Sequence, residues 1–164
     1  MFPSYRKRKQ WMERVRRLFG GMPCRVQVAA LPWRVREDGS YEIMLVTSRG
    51  TGRWVVPKGW PEKREQPYEA AAREAAEEAG ISGPISQRDL GRFYYNKIFR
   101  SGMEWRCEVH VFPMQVENVA DKWPERKKRT RQWFSPQEAS ALVREKDLAE
   151  LIAGFVGNPR QFAL

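Results

Sequence analysis

Residues Gly59 to Ile81 read GWPEKREQPYEAAAREAAEEAGI. A glycine turn runs into a predicted helix that carries Glu74, Glu77 and Glu78 within about one turn. Like charges three or four residues apart destabilise a helix by roughly 0.2–0.5 kcal/mol per pair, so stability alone does not explain the cluster. A bound divalent cation reverses that sign. Carboxylate oxygens are hard ligands, and without cysteine or histidine beside them they suit Mg2+ or Mn2+ rather than zinc or copper. Phosphate substrates are the usual reason to hold such ions.

The helical period puts Tyr68, Ala72, Ala75 and Ala79 on one face and turns Glu74, Glu77 and Glu78 to the other. Small side chains on the first face let the helix lie close on a sheet. Pro67 suits the first turn, and Gly80 suits the end. From the three glutamates alone, a solvated surface helix is an equally good reading, because alanine raises helix propensity anywhere.

The wider spacing separates the two. The segment runs Gly59, five residues, Glu65, seven residues, Arg73-Glu74-Ala75, one residue, Glu77-Glu78, one residue, Gly80-Ile81. This resembles the Nudix box, the signature of hydrolases that cleave a diphosphate linked to a further group. Every charged residue and glycine of the signature stands at its spacing; Ala75 replaces the usual bulky aliphatic residue. The resemblance implies a loop-helix-loop catalytic unit on an α/β/α sandwich with a mixed sheet, an α/β (α+β) fold, with glutamates that hold divalent metal. Glu74 and Glu78, four residues apart, are the first choice as metal ligands, together with the main chain of Gly59, where no side chain intervenes. Arg73 is placed to pair with Glu65 and pin the loop to the helix. Glu77 is the first choice as general base by its matching position in the family, with Glu125 as an alternative from outside the box.

The remaining residues are consistent with such a fold. At 164 residues the chain suits one domain, with a basic extension over 1–20, the hydrolase domain over 21–157 and a tail over 158–164. Arg25 to Val35 and Tyr41 to Ser48 read as strands joined at Glu37-Asp38-Gly39, and Trp54 to Pro57 as a short strand into the box. Glu104 to Phe112 alternates as a half-buried strand. Ser135 is a predicted cap, and Ala139 to Val156 is broadly amphipathic.

Four further stretches, EIMLVTS from Glu42, RWVVPKG from Arg53, KKRTRQWF from Lys127 and the Glu138-Ala139 pair, resemble the branch of diphosphoinositol polyphosphate and diadenosine polyphosphate hydrolases. By that resemblance Arg25, Thr47, Ser48, Arg49, Lys58 and Arg129 are the implied phosphate contacts, with Lys97 or Arg100 supplying another. The branch has a glycine triplet before the box, whereas this chain has Lys58-Gly59-Trp60. Lysine there can meet a phosphate, and tryptophan can restrict or stack on the substrate.

Charge points independently to a polyanionic ligand: 30 basic residues face 20 acidic ones, for a net +10. The first 19 residues hold seven basic residues and one acid. Trp11, Val15 and Leu18 form one stripe if this segment is helical, which nucleic acid or an anionic membrane surface would attract. A flexible, solvated extension is the commoner fate of such a segment. It has no long apolar core, and no run of about 18 apolar residues occurs elsewhere. Cys24 and Cys107 suit reduced, packed thiols, and His110 a structural role. The overall expectation is a cytoplasmic, monomeric, metal-dependent hydrolase of a polyphosphorylated small molecule. An RNA 5′-pyrophosphate hydrolase and a non-catalytic phosphate- or RNA-binding module are the alternatives.

Overall fold

The computed structural model describes residues 4–156; the expected tail over 158–164 lies outside the described residues. Strand β1 (Arg25–Val35) is the spine of the molecule. It pairs antiparallel with β2 (Tyr41–Thr47) across the turn at Gly39 and parallel with β7 (Glu104–Gln115). With β3 (Trp54–Val55), β4 (Lys58–Gly59), β6 (Gly91–Ile98) and β9 (Arg131–Phe134), they form a seven-stranded mixed sheet among the described residues. β5 (Ile81–Ser82) pairs separately with β8 (Asn118–Val119).

β1 is buried on both faces, and successive side chains feed two cores. On one side, Leu31 and Trp33 join Ile43, Leu45, Phe93 and Val111 beneath α3 (Pro136–Leu142) and α4 (Lys146–Val156). On the other, Val28 and Ala30 join Met44, Val46, Phe112 and Met114 beneath α2 (Pro67–Ala79). Ala70, Ala71, Ala75 and Ala79 are fully buried there, so small side chains do let the helix approach closely, but the face is rotated from the expected one and leaves Tyr68 and Ala72 only partly buried. A sheet covered by helices on both faces is the α/β/α sandwich the box implied.

Three local expectations change. Ala139 to Val156 is two helices, because Val143 turns extended and caps the first. The strand ending at Phe112 continues to Gln115 and is buried on both faces, Glu108 included. The segment expected to be a solvated extension is a docked helix, α1 (Tyr5–Leu18). Its stripe points the opposite way from a core-facing helix: Trp11 and Leu18 are exposed, and the polar side is packed inward.

Carboxylates account for that docking. The side chain of Glu150 accepts the main-chain N–H groups of Tyr5 and Arg6 at the start of α1. β6 ends the sheet, where free backbone groups invite further pairing. Here Lys9 donates to the carbonyl of Tyr94 at 2.9 Å and lies 3.3 Å from Asp147, which in turn accepts the N–H of Tyr94. Deeper along the helix, buried Glu13 accepts from Arg16, Arg106 and the thiol of Cys24. Glu108 accepts from Arg17 and Arg92.

Burial alone would raise the pKa of Glu13, but the hydrogen bonds from Arg16, Cys24 and Arg106 outweigh it and hold it at about 2. A carboxylate with a lowered pKa stabilises the fold above its unfolded value, and that stability is lost as pH falls toward the folded value. Glu13→Ala is therefore expected to cost about 3 kcal/mol in urea unfolding at pH 7. The cost should shrink as pH falls below about 4, and a cost independent of pH would contradict the assignment.

Candidate active site

The box folds as a turn that runs along β4 and into α2. Gln66 caps α2 with Glu69 in a reciprocal box, Pro67 occupies its first turn, and Gly80 ends it in the left-handed conformation at φ +63°. Arg73 projects back over the loop. It donates to both oxygens of Glu65 at 3.0 and 3.1 Å, to the carbonyl of Trp60 at 3.0 Å, and to Glu74 at 2.8 Å. Hydrogen bonding to Glu65, chiefly, and to Glu74 raises the Arg73 pKa, and the same bond from Arg73 lowers that of Glu65. The loop is thus stapled to the helix by one guanidinium.

Two glutamates converge on β4. The carboxyl of Glu74 lies so close over Gly59 that a Cβ there would fall inside it. Glu78 accepts the main-chain N–H of Lys58 at 3.1 Å and ion-pairs with Arg129. This refines the helical wheel, which turned all three glutamates to one outer side. Glu78 is 6% exposed and borders the alanine face, whereas Glu77 is 46% exposed at its side chain and lies 3.5 Å from Arg73. Burial raises the pKa of both Glu74 and Glu78. Arg73 opposes the rise at Glu74; at Glu78, Arg129 and Lys58 oppose it, yet the value still reaches about 7.

Cations surround this pair. Lys58 sits with its ammonium 4.7 Å from the centre of the Tyr95 ring. Burial lowers its pKa; Glu78 counters, and Lys97, Arg53 and Arg129 add to the lowering, so four positive groups share one neighbourhood. Arg129 is 6% exposed at its side chain and bonds Glu78, Glu125 and the carbonyl of Thr47.

The other implied phosphate contacts take different places. The Thr47 hydroxyl accepts the N–H of Thr130, and the Ser48 hydroxyl bonds Thr51 and accepts the N–H of Arg53, so both shape loops. Arg49 is 61% exposed and 3.5 Å from Glu125 at the rim. Arg25 stacks its guanidinium 3.4 Å from the centre of the Trp105 ring. Arg100 is exposed at the turn between β6 and β7.

Arg53, one of the basic residues expected to meet a polyanion, pairs with Glu145 at 2.6 Å and joins the group around Lys58. One feature was not found from the sequence: an aromatic cluster of Trp60, Phe99 and Trp105 adjoins that group, with Lys97 5.2 Å from the Trp60 ring. The register that sets Lys97 opposite Trp105 builds this cluster, and recognising β6 in the sequence would have exposed it.

The donor set fits a hard divalent cation. Glu74 and Glu78 offer carboxylate oxygens beside a glycine whose missing side chain leaves its main chain open, with neither histidine nor thiol among them. Among the described residues no three acidic, cysteine or histidine side chains already sit together; arginines occupy the carboxylates instead.

A carboxyl with a raised folded pKa binds a proton more readily folded than unfolded, so its contribution is intact below the unfolded value and is lost as pH rises through about 7. Metal-free protein should lose stability from this group between pH 5 and 8, and Glu78→Gln should flatten that loss, about 1–3 kcal/mol by urea unfolding. An unchanged pH slope in the variant would show that Glu78 is not the buried acid responsible.

Residues 25–155 match the NUDIX domain family. Nudix hydrolase 21 (chloroplastic) of Arabidopsis thaliana is 31% identical over 137 residues, which cover 82% of this chain and 67% of that one. Diphosphoinositol polyphosphate phosphohydrolase 3-beta of Bos taurus is 36% identical over 111 residues, covering 66% of this chain and 62% of the relative. In fold, a C. elegans Ap4A hydrolase binary complex superposes with a TM-score of 0.62 at 18% identity, covering 84% of this chain and 98% of that one. With most of its length matched and its box complete, the chain belongs to the NUDIX domain family and is a hydrolase of that family.

Proposed function

We propose that the protein hydrolyses a phosphoanhydride bond in a polyphosphorylated small molecule of the diadenosine polyphosphate or diphosphoinositol polyphosphate type, with Mg2+ or Mn2+ as cofactor. One observation carries this reading: Glu74 lies over Gly59 and buried Glu78 accepts the N–H of Lys58 beside it, with Arg129 paired to Glu78 and with Lys97, Arg53 and Arg129 near enough to Lys58 to act on its charge. Carboxylates alone would repel a polyphosphate, and cations alone would bind it without cutting.

Glu74, Glu78 and the main chain of Gly59 would hold the ion, which supplies charge neutralisation at the anhydride oxygens. The residues of the chain do the rest. Lys58 and Arg129 bind and orient phosphate oxygens, and Arg73 keeps Glu74 and the loop in place through Glu65. Glu77, solvent-facing beside Arg73, takes the proton as the oxygen of water bonds to phosphorus and the bridging P–O bond breaks. The leaving fragment departs as a phosphate. Arg25 and the Trp60 cluster lie beyond Lys58, where a planar group of the substrate can stack.

Three of the seven basic residues of the N-terminal segment, Lys9, Arg16 and Arg17, pair with Asp147, Glu13 and Glu108, which favours the small-molecule reading over an RNA 5′ end. A non-catalytic reading would call for a broken box, and this one is intact.

A panel of diadenosine tetraphosphate, a diphosphoinositol polyphosphate and a 5′-triphosphorylated RNA, assayed with Mg2+ by product mass, tests the proposal. Turnover of a small-molecule anhydride is expected, falling on the order of a hundredfold or more in Glu77→Gln. Cleavage of the RNA alone would overturn the substrate class, and full turnover by Glu77→Gln would overturn the base. Trp60→Ala is expected to raise KM about tenfold for the diadenosine substrate and to leave the inositol substrate almost unchanged; equal effects on both would remove the stacking role.

A further inference from the structure

Helix α1 presents two faces with different business. Lys9, Glu13 and Arg17 recur every four residues and look inward, to Asp147, Arg106 and Glu108, while Glu150 accepts the main-chain N–H groups of Tyr5 and Arg6. On the opposite side Trp11, Met12, Val15, Leu18 and Phe19 follow the same helical period and look outward. Trp11 is 66% exposed, Leu18 83% and Phe19 86%, and Met22, just beyond, is 82% exposed. Six of the twelve exposed large hydrophobic residues among those described fall between Tyr5 and Met22, which makes a patch and not the scatter normal for a surface. Arg8 lies within the stripe, and Lys7 and Arg14 flank it, all exposed. Between the stripe and the sheet, a groove of about 670 Å³ is walled by Trp11, Met12 and Val15 and rimmed by Arg8, Arg16 and Arg106.

We propose that this face seats the protein on an anionic lipid surface. Apolar side chains flanked by cations match the boundary between acyl chains and negatively charged headgroups. Nucleic acid fits less well, because it would engage the cations and leave Leu18, Phe19 and Met22 in water. A second copy fits less well again, since pairing these faces would bring two basic helices together in a chain of net charge +10. The inward ion pairs explain how the stripe stays outward: they anchor the helix by its polar side. The association is peripheral, as no described helix is long and apolar enough to cross a membrane. It does not depend on the hydrolytic reading.

Co-sedimentation of the full chain with vesicles of phosphatidylcholine alone, or with about one-third phosphatidylserine, tests this. Binding to the anionic vesicles is expected to exceed binding to the neutral ones by about tenfold or more and to weaken with salt. Combined Trp11→Ser, Leu18→Ser and Phe19→Ser should reduce it by about tenfold or more. Arg8→Glu with Arg14→Glu should abolish the preference for anionic lipid. Both variants should keep the wild-type melting temperature and turnover of a soluble substrate. Brominated lipid should quench the wild type more than Trp11→Phe. Absent or charge-independent vesicle binding would overturn the proposal. So would binding to homopolymeric RNA without vesicle binding, or a dimer in solution that the triple serine variant dissolves.

Discussion

The structure turns on two glutamates drawn in beside a glycine, Glu78 buried and Glu74 partly buried. Helix α2 reaches the sheet through alanines, and that close approach brings Glu74 over Gly59 and Glu78 onto the N–H of Lys58. Buried carboxylates are unfavourable unless positive charge or hydrogen bonds accompany them. Arg73 and Arg129 supply both in the metal-free protein. Burial still outweighs Arg129 and Lys58 at Glu78 and pushes its pKa up to about 7, so the compensation is incomplete. A hard cation at the same place would complete it, and this links the stability of the site to its chemistry.

The same logic, used without chemistry, fixes the first helix. Glu13, Glu108 and Asp147 are buried acids, and each is met by cations from α1 or its neighbours. His110 belongs to this network: it lies 3.1 Å from Glu108 and 3.3 Å from Asp89. Its hydrogen bond is the leading cause that holds Glu108 at about 2. A chain of net charge +10 thereby absorbs much of its positive charge internally.

Local features were legible in the sequence, and features that join distant residues were not. The box, the first two strands and their turn follow from spacing, alternation and a glycine at φ +79°. The cap at Ser135 follows from its glutamate three residues on. By contrast β6 mixes Arg92, Asn96 and Lys97 among aromatics and has no clean period, so the Trp60 cluster it supports stayed hidden. The helical wheel set Glu78 opposite the alanines, whereas the helix buries Ala70, Ala71, Ala75, Glu78 and Ala79 together and brings Glu78 against β4. Docking of α1 depends on acids 91 or more residues away on β7 and α4, whose burial no local pattern announces.

Diffraction at the manganese absorption edge, from crystals soaked in Mn2+, tests the central claim most directly. The account predicts an anomalous peak bounded by the carboxylates of Glu74 and Glu78 and the main chain of Gly59, with Arg129 drawn away from Glu78. Crystals that bind no ion there, with Glu74 still on Arg73 and Glu78 still on Arg129, would contradict it.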